Sequence, residues 1–191
     1  MSGLSLWLSP PESSPLAGLL LSLSKRHKTV QFKPHATLVS DAIVPELPIA
    51  ELVKRIGEAI KRWRHERSIQ GTGFQVNFMD VRQGELFYQC VLAALVPDPH
   101  LIALHEALLS SFAVPVPSPP TYFPHLSLVY GDLSHHEKDE IIKGMKERRE
   151  VEQGDGECHV VGEKGFRADE VLLVRTRGST GEWEVLAKVQ L

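Results

Sequence analysis

Apolar and polar positions along this chain change period repeatedly, and the changes mark its elements. Residues 4–8 are a short apolar run that reads as a strand, and a turn containing Pro10 and Pro11 follows. Residues 16–23 are helical in pattern, and after a polar loop the run Phe32-Lys33-Pro34-His35-Ala36-Thr37-Leu38-Val39 reads as a second strand. Residues 49–67 carry Leu52, Val53, Ile56, Ile60 and Trp63 at helical spacing. Strands are expected at 74–81 and 88–96, on either side of the turn at Gln83-Gly84. A helix over 101–111, a Pro-rich loop over 114–124 and the strand Phe123-Pro124-His125-Leu126-Ser127-Leu128-Val129 come next. Ser134 with Glu137 three positions on is a capping-box start for a helix over 134–149. Strands at 158–161, 171–176 and 184–189 close the chain, with 178–181 as the last turn.

The order of elements is given twice. Strand, Pro-containing turn, helix, motif strand and second helix occupy residues 4–67, and the same series recurs from residue 88, about 90 positions later. The duplication predicts one bilobal domain over 1–191, with half-repeats of about 1–87 and 88–191. The expected class is α+β: two pseudo-symmetric, mainly antiparallel sheets, each backed by two helices, with a groove between them. The loop 114–124 should lie near the groove mouth.

Inside the repeat sits the candidate chemistry. Residues i and i+2 of a strand point to one face, so His35 projects with Thr37, and His125 with Ser127. Two imidazoles and two hydroxyls converging on one groove suit the opening of a cyclic phosphodiester. One ring takes a proton from water, the other protonates the departing oxygen, and the hydroxyls hold the phosphoryl oxygens. Neither metal nor cofactor is required by that scheme. His-x-[Ser/Thr] alone is weak, since nine histidines predict about one match by chance. A third match, His27-Lys28-Thr29, lies in a charged stretch after a helix and has no preceding Pro. The other two share the order Phe, Pro, His, hydroxyl, Leu, Val in a repeated context. His100 and His105, five apart on a helix, read as surface or boundary residues.

Bulk properties narrow the ligand. The charge is −3 and the isoelectric point about 6.3. A chain that follows a long phosphate backbone carries a basic excess, so a small phosphate ester is expected rather than long nucleic acid. The apolar share of 42% and charged share of 24% are those of an ordinary globular protein. Cys90 and Cys158 are too few for a disulfide framework, and whether they pair is open. No basic leader precedes the first strand and no apolar run spans a bilayer, so a cytoplasmic, membrane-free protein is expected.

At these residues the chain resembles the two-histidine (2H) phosphoesterase superfamily, over nearly its whole length. In length and order it looks most like the fungal and plant 2′,3′-cyclic nucleotide 3′-phosphodiesterases. The resemblance implies hydrolysis of nucleoside 2′,3′-cyclic phosphates to 2′-phosphates, and of ADP-ribose 1″,2″-cyclic phosphate from tRNA splicing; a monomer is expected. It places the catalytic pairs on His35 and Thr37 and on His125 and Ser127. It also implies His125 as base and His35 as acid, with Trp7 and Tyr130 contacting the nucleotide. Strict alternation would put Tyr130 on the face opposite His125, although Gly131 follows as a point where the strand can turn. Two alternatives are a 2H enzyme acting on RNA ends, ligase-like or trimming, and a non-catalytic nucleotide- or RNA-binding module on the same scaffold.

Overall fold

The computed structural model describes residues 3–116 and 121–191. In chain order the elements are β1 (Leu4–Leu8), α1 (Leu16–His27), β2 (Ala36–Val39), α2 (Ile49–Glu66), β3 (Phe74–Gln83) and β4 (Val91–Leu95). They continue with α3 (Pro99–Ser111), β5 (His125–Val129), α4 (His135–Glu147), β6 (Val151–Gly154), β7 (Glu157–Val160), β8 (Gly165–Ala168), β9 (Glu170–Arg175) and β10 (Glu184–Gln190).

Local chemistry sets most boundaries. The α2 stripe Leu52, Ile56, Ala59, Ile60 and Trp63 is buried, and the Trp63 indole donates to the His100 carbonyl at 2.9 Å. Asp98 caps α3, with Pro99 in its first turn. Ser134 and Glu137 form the expected capping box on α4. His27-Lys28-Thr29 is the end of α1, where Lys28 adopts a left-handed conformation. It builds no motif strand.

Eight strands form one antiparallel sheet in the order β10-β9-β1-β2-β5-β4-β3-β8, and β6 with β7 forms a separate hairpin. The large sheet is two four-stranded halves that meet at a single rung, Ala36 opposite Leu126. The expected pair of antiparallel sheets is therefore continuous through the two motif strands. Each sheet half is also a mixture of the sequence halves. β3, from the first, pairs with β4, whereas β9, from the second, pairs with β1. Helices follow the same exchange: α3 packs on β2 and α2, α2 on β10, α1 on β5 and α4 on β3.

Three departures from the sequence pattern have physical causes. Residues Phe87–Gln89 form a 3-10 turn in place of the first residues of an extended strand, and this leaves Tyr88 exposed. Gly84 sits against that turn so closely that a Cβ there would lie 1.9 Å from the Gln89 carbonyl oxygen. β6, absent from the sequence reading, closes on β7 through Asp155 and Gly156, both left-handed, a two-residue hairpin loop with its usual Asp-Gly signature. β8, likewise absent, pairs with β3 where Gly165 lets the backbones approach. Among the described residues, no helix is long and apolar enough to cross a membrane. Cys90 and Cys158 are both buried and unpaired.

Candidate active site

The rung between Ala36 and Leu126 organises the site. Each of these residues directly follows a motif histidine. In an antiparallel register the neighbours of that pair are His35 beside Ser127 and Thr37 beside His125, and all four project to the face opposite Ala36 and Leu126. All four line one cavity of about 560 Å³, together with Trp7 and Tyr130. The structure thus brings together every residue singled out in the sequence.

Both imidazoles are held in the same way. The His35 Nδ1–H donates to the Lys33 carbonyl at 2.7 Å, and the His125 Nδ1–H donates to the Phe123 carbonyl at 2.9 Å. Each bond runs back two residues, and each leaves Nε2 as the nitrogen presented to a ligand. Burial, the largest influence, pulls both rings below the usual imidazole range. His35 is pushed down to about 4, with the nearby His125 adding to the effect against the pull of the Lys33 carbonyl. His125 is lowered for the same first reason. Both rings are therefore neutral in the free protein near pH 7.

The hydroxyls differ. Ser127 Oγ donates to the Tyr88 carbonyl at 2.7 Å, so its lone pairs rather than its proton face the cavity until a ligand competes. Thr37 lines the cavity, and its backbone carbonyl accepts from the Tyr122 hydroxyl at 2.8 Å.

Tyr130 is not on the opposite face. The ladder skips Leu128: Val91 pairs with Val129 and Leu92 with Ser127. This β-bulge resets the alternation and returns Tyr130 to the face of His125 and Ser127. Its hydroxyl points to His35 Nε2 at 3.4 Å, and its ring stacks on Phe32 at 3.6 Å. Burial raises its pKa, so the phenol stays protonated. The bulge is itself duplicated. β2 skips Leu38, with Leu6 opposite Val39 and Trp7 opposite Thr37.

Trp7 is also placed differently from a ligand contact. It is 4% exposed, and one face is covered by the His35 ring, 3.6 Å away and 12° from parallel. The indole N–H donates to Ser5 Oγ at 2.9 Å, which in turn donates to the Val39 carbonyl at 3.0 Å. Trp7 is the platform that buries His35.

Four cavity residues escaped the sequence reading. His105 is part of the wall, not of the surface. Its Nδ1–H donates to the Leu38 carbonyl at 2.7 Å, and its ring stacks on Tyr122 at 4.1 Å. Together the stacked pair holds two successive carbonyls of the first motif strand at its bulge. Tyr88 and Trp183 also line the cavity. No spacing signal marks any of the four, because each reaches the site from a different element. Of the loop 114–124, Val114, Pro115, Thr121, Tyr122 and Phe123 line the cavity, and 117–120 lie outside the described residues. No group of three metal-ligating side chains lies together among the described residues.

A family model described as cyclic phosphodiesterase-like protein matches residues 1–191. The chain is 26% identical to a 2′,3′-cyclic-nucleotide 3′-phosphodiesterase of Yarrowia lipolytica, over 96% of this chain and 97% of the relative. It is 25% identical to a cyclic phosphodiesterase of Arabidopsis thaliana, over 70% of this chain and 68% of the relative. The fold is similar to that of E. coli LigT in a crystal structure complexed with phosphate, with a TM-score of 0.57 at 15% identity, over 98% of this chain and 96% of that one.

Proposed function

Since the chain belongs to the cyclic phosphodiesterase-like family, we propose that it hydrolyses nucleoside 2′,3′-cyclic phosphates to 2′-phosphates with His35 and His125 as its acid–base pair. The observation that carries this reading is the shared geometry of the two rings, each tied through Nδ1 to a carbonyl and each lining the cavity beside a hydroxyl.

Water attacks phosphorus in line with O3′. His125 Nε2 takes the water proton as the new P–O bond forms. His35, protonated at Nε2 when the anionic ester binds beside it, gives that proton to O3′ as the P–O3′ bond breaks. The pair ends with its protonation exchanged and resets through solvent. Such acid–base help is worth about 10²–10⁴-fold. The anion supplies what the free protein lacks: a negative charge near both rings raises their proton affinity, opposing the effect of burial. Thr37 and Ser127 steady the non-bridging oxygens, and Ser127 can turn from the Tyr88 carbonyl to do so. Tyr130 donates toward the neutral His35 Nε2 in the free protein, and gives up that bond when Nε2 takes the proton destined for O3′. ADP-ribose 1″,2″-cyclic phosphate presents the same five-membered ester and is a second substrate of this reading.

The test is turnover of adenosine 2′,3′-cyclic phosphate in EDTA, with the product identified by chromatography. Formation of the 2′-phosphate, with loss of turnover in folded His35→Ala and His125→Ala proteins, is the expected result. Full activity of either variant removes the mechanism, and binding without turnover by the wild type points to a non-catalytic module. Faster turnover of a cyclic-phosphate-ended oligonucleotide than of the mononucleotide would make it an enzyme of RNA ends.

A further inference from the structure

The two aromatics expected to meet the nucleotide are already occupied. Trp7 has one face on His35 and the edge of Trp183 at 5.5 Å, and Tyr130 is 3% exposed with its face on Phe32. Neither has a ring face open to a base. Two other cavity-lining aromatics are arranged differently. Tyr88 is 55% exposed, and its ring centre stands 6.4 Å from that of Trp183, tilted by 43°. Trp183 in turn lies 6.1 Å from the His35 ring, so this pair adjoins the catalytic groups.

Unsatisfied polar atoms sit beside it. Trp183 Nε1 and Thr176 Oγ1 are buried, line the cavity, and have no hydrogen-bond partner among the described residues. Arg175 pairs with Glu184, so Thr176 and Trp183 are the next positions out, facing one another at the turn end of the β9–β10 hairpin. Buried donors are nearly always satisfied by protein, water or ligand, so these two are free to bond to whatever fills the cavity. Aromatic side chains accept bases of any kind by stacking, because every base has a π-face.

We propose that Tyr88, Trp183 and Thr176 form the base subsite of this enzyme, a reading that rests on the cyclic-nucleotide activity above. Tyr88 stacks on the base, while the Trp183 indole N–H and the Thr176 hydroxyl bond to acceptors on its edge. The subsite adjoins the phosphate end, since in the free protein the backbone carbonyl of Tyr88 receives the Ser127 hydroxyl. Its turn is fixed by the close approach of Gly84 to Gln89. The substrate class is therefore a cyclic phosphate carrying an aromatic base, in preference to a bare polyol ester.

The experiment compares kcat/KM for adenosine 2′,3′-cyclic phosphate and for methyl ribofuranoside 2,3-cyclic phosphate, which has methoxy in place of the base. Tyr88→Ala is expected to lower kcat/KM for the nucleotide about tenfold more than for the base-free ester, mainly through KM. Trp183→Phe keeps a ring and removes the N–H, and should narrow the same preference. An equal loss on both esters, or no wild-type preference, overturns the proposal. Binding of free adenosine, read by quenching of tryptophan fluorescence and weakened by Tyr88→Ala, reports the subsite without turnover. Quenching with no hydrolysis of either ester would keep the subsite and sink the activity; hydrolysis of both esters with no quenching would do the reverse.

Discussion

Burial of His35 should make the whole protein sensitive to mild acid. The ring is 6% exposed, stacked on Trp7, and pushed from 6.5 down to about 4 by desolvation. In the unfolded chain the same imidazole titrates near its ordinary value. Between those two values the unfolded state binds a proton that the native state does not, so native stability falls as pH falls through that window. A lowering from 6.5 to about 4 corresponds to about 3 kcal/mol, fully present above pH 6.5 and gone below about pH 4. That is a large part of the roughly 5–15 kcal/mol typical of a domain. His35→Phe keeps a flat ring against Trp7 and removes the titration. Urea unfolding of both proteins at a series of pH values from 7.5 to about 4.5 isolates this group, because His125 and the carboxylates contribute to both curves. The wild type should lose about 2–3 kcal/mol more than His35→Phe over that range. Parallel curves would show that the ring is solvated or already protonated in the native state, and would remove the account of its burial.

Kinetics should show the same lowering. The free protein is competent when one imidazole is protonated and the other neutral, and both titrate below 6.5, so kcat/KM should peak between about pH 4 and 6.5 and fall toward alkaline pH; a maximum above pH 7.5 would contradict it. Tyr122→Phe removes the bond to the Thr37 carbonyl and should cost about 1 kcal/mol in urea unfolding together with a fall in kcat larger than any change in KM. Loss of stability with unchanged kcat would make Tyr122 a packing residue only.

How far the sequence could be read follows from the range of the interactions involved. His35, Thr37, His125 and Ser127 were legible because strand alternation is local and the motif occurs twice. The helices α2 and α4 were legible because their stripe and capping box are local too. Tyr130 was misplaced by alternation because a bulge is a property of two strands: Leu128 is an extra residue only when counted against Val91 and Leu92. The exchange of β3 and β9 between the sheet halves is equally non-local, as is the His105–Tyr122 stack, which joins α3 to the loop before β5. β6 was a different kind of miss, since Asp155-Gly156 was a local hairpin signal within a polar stretch that hid its strand.

Duplication alone would give a site whose two histidines are equivalent, and an acid–base pair needs them to differ. The structure breaks the equivalence at one register position. Trp7 stands opposite Thr37 where the second half has Leu92 opposite Ser127. The indole stacks on His35 and seals it, whereas His125 has a looser neighbour, the Phe123 ring 5.3 Å away. The same backbone bond, the same bulge and the same hydroxyl spacing thus serve two rings in unlike surroundings. Unlike surroundings separate proton affinities, and because burial leaves His35 the weaker base, its role as the acid depends on the bound anion raising its proton affinity. Trp7 therefore contributes to function through His35, by making the two copies of a repeated motif chemically distinct.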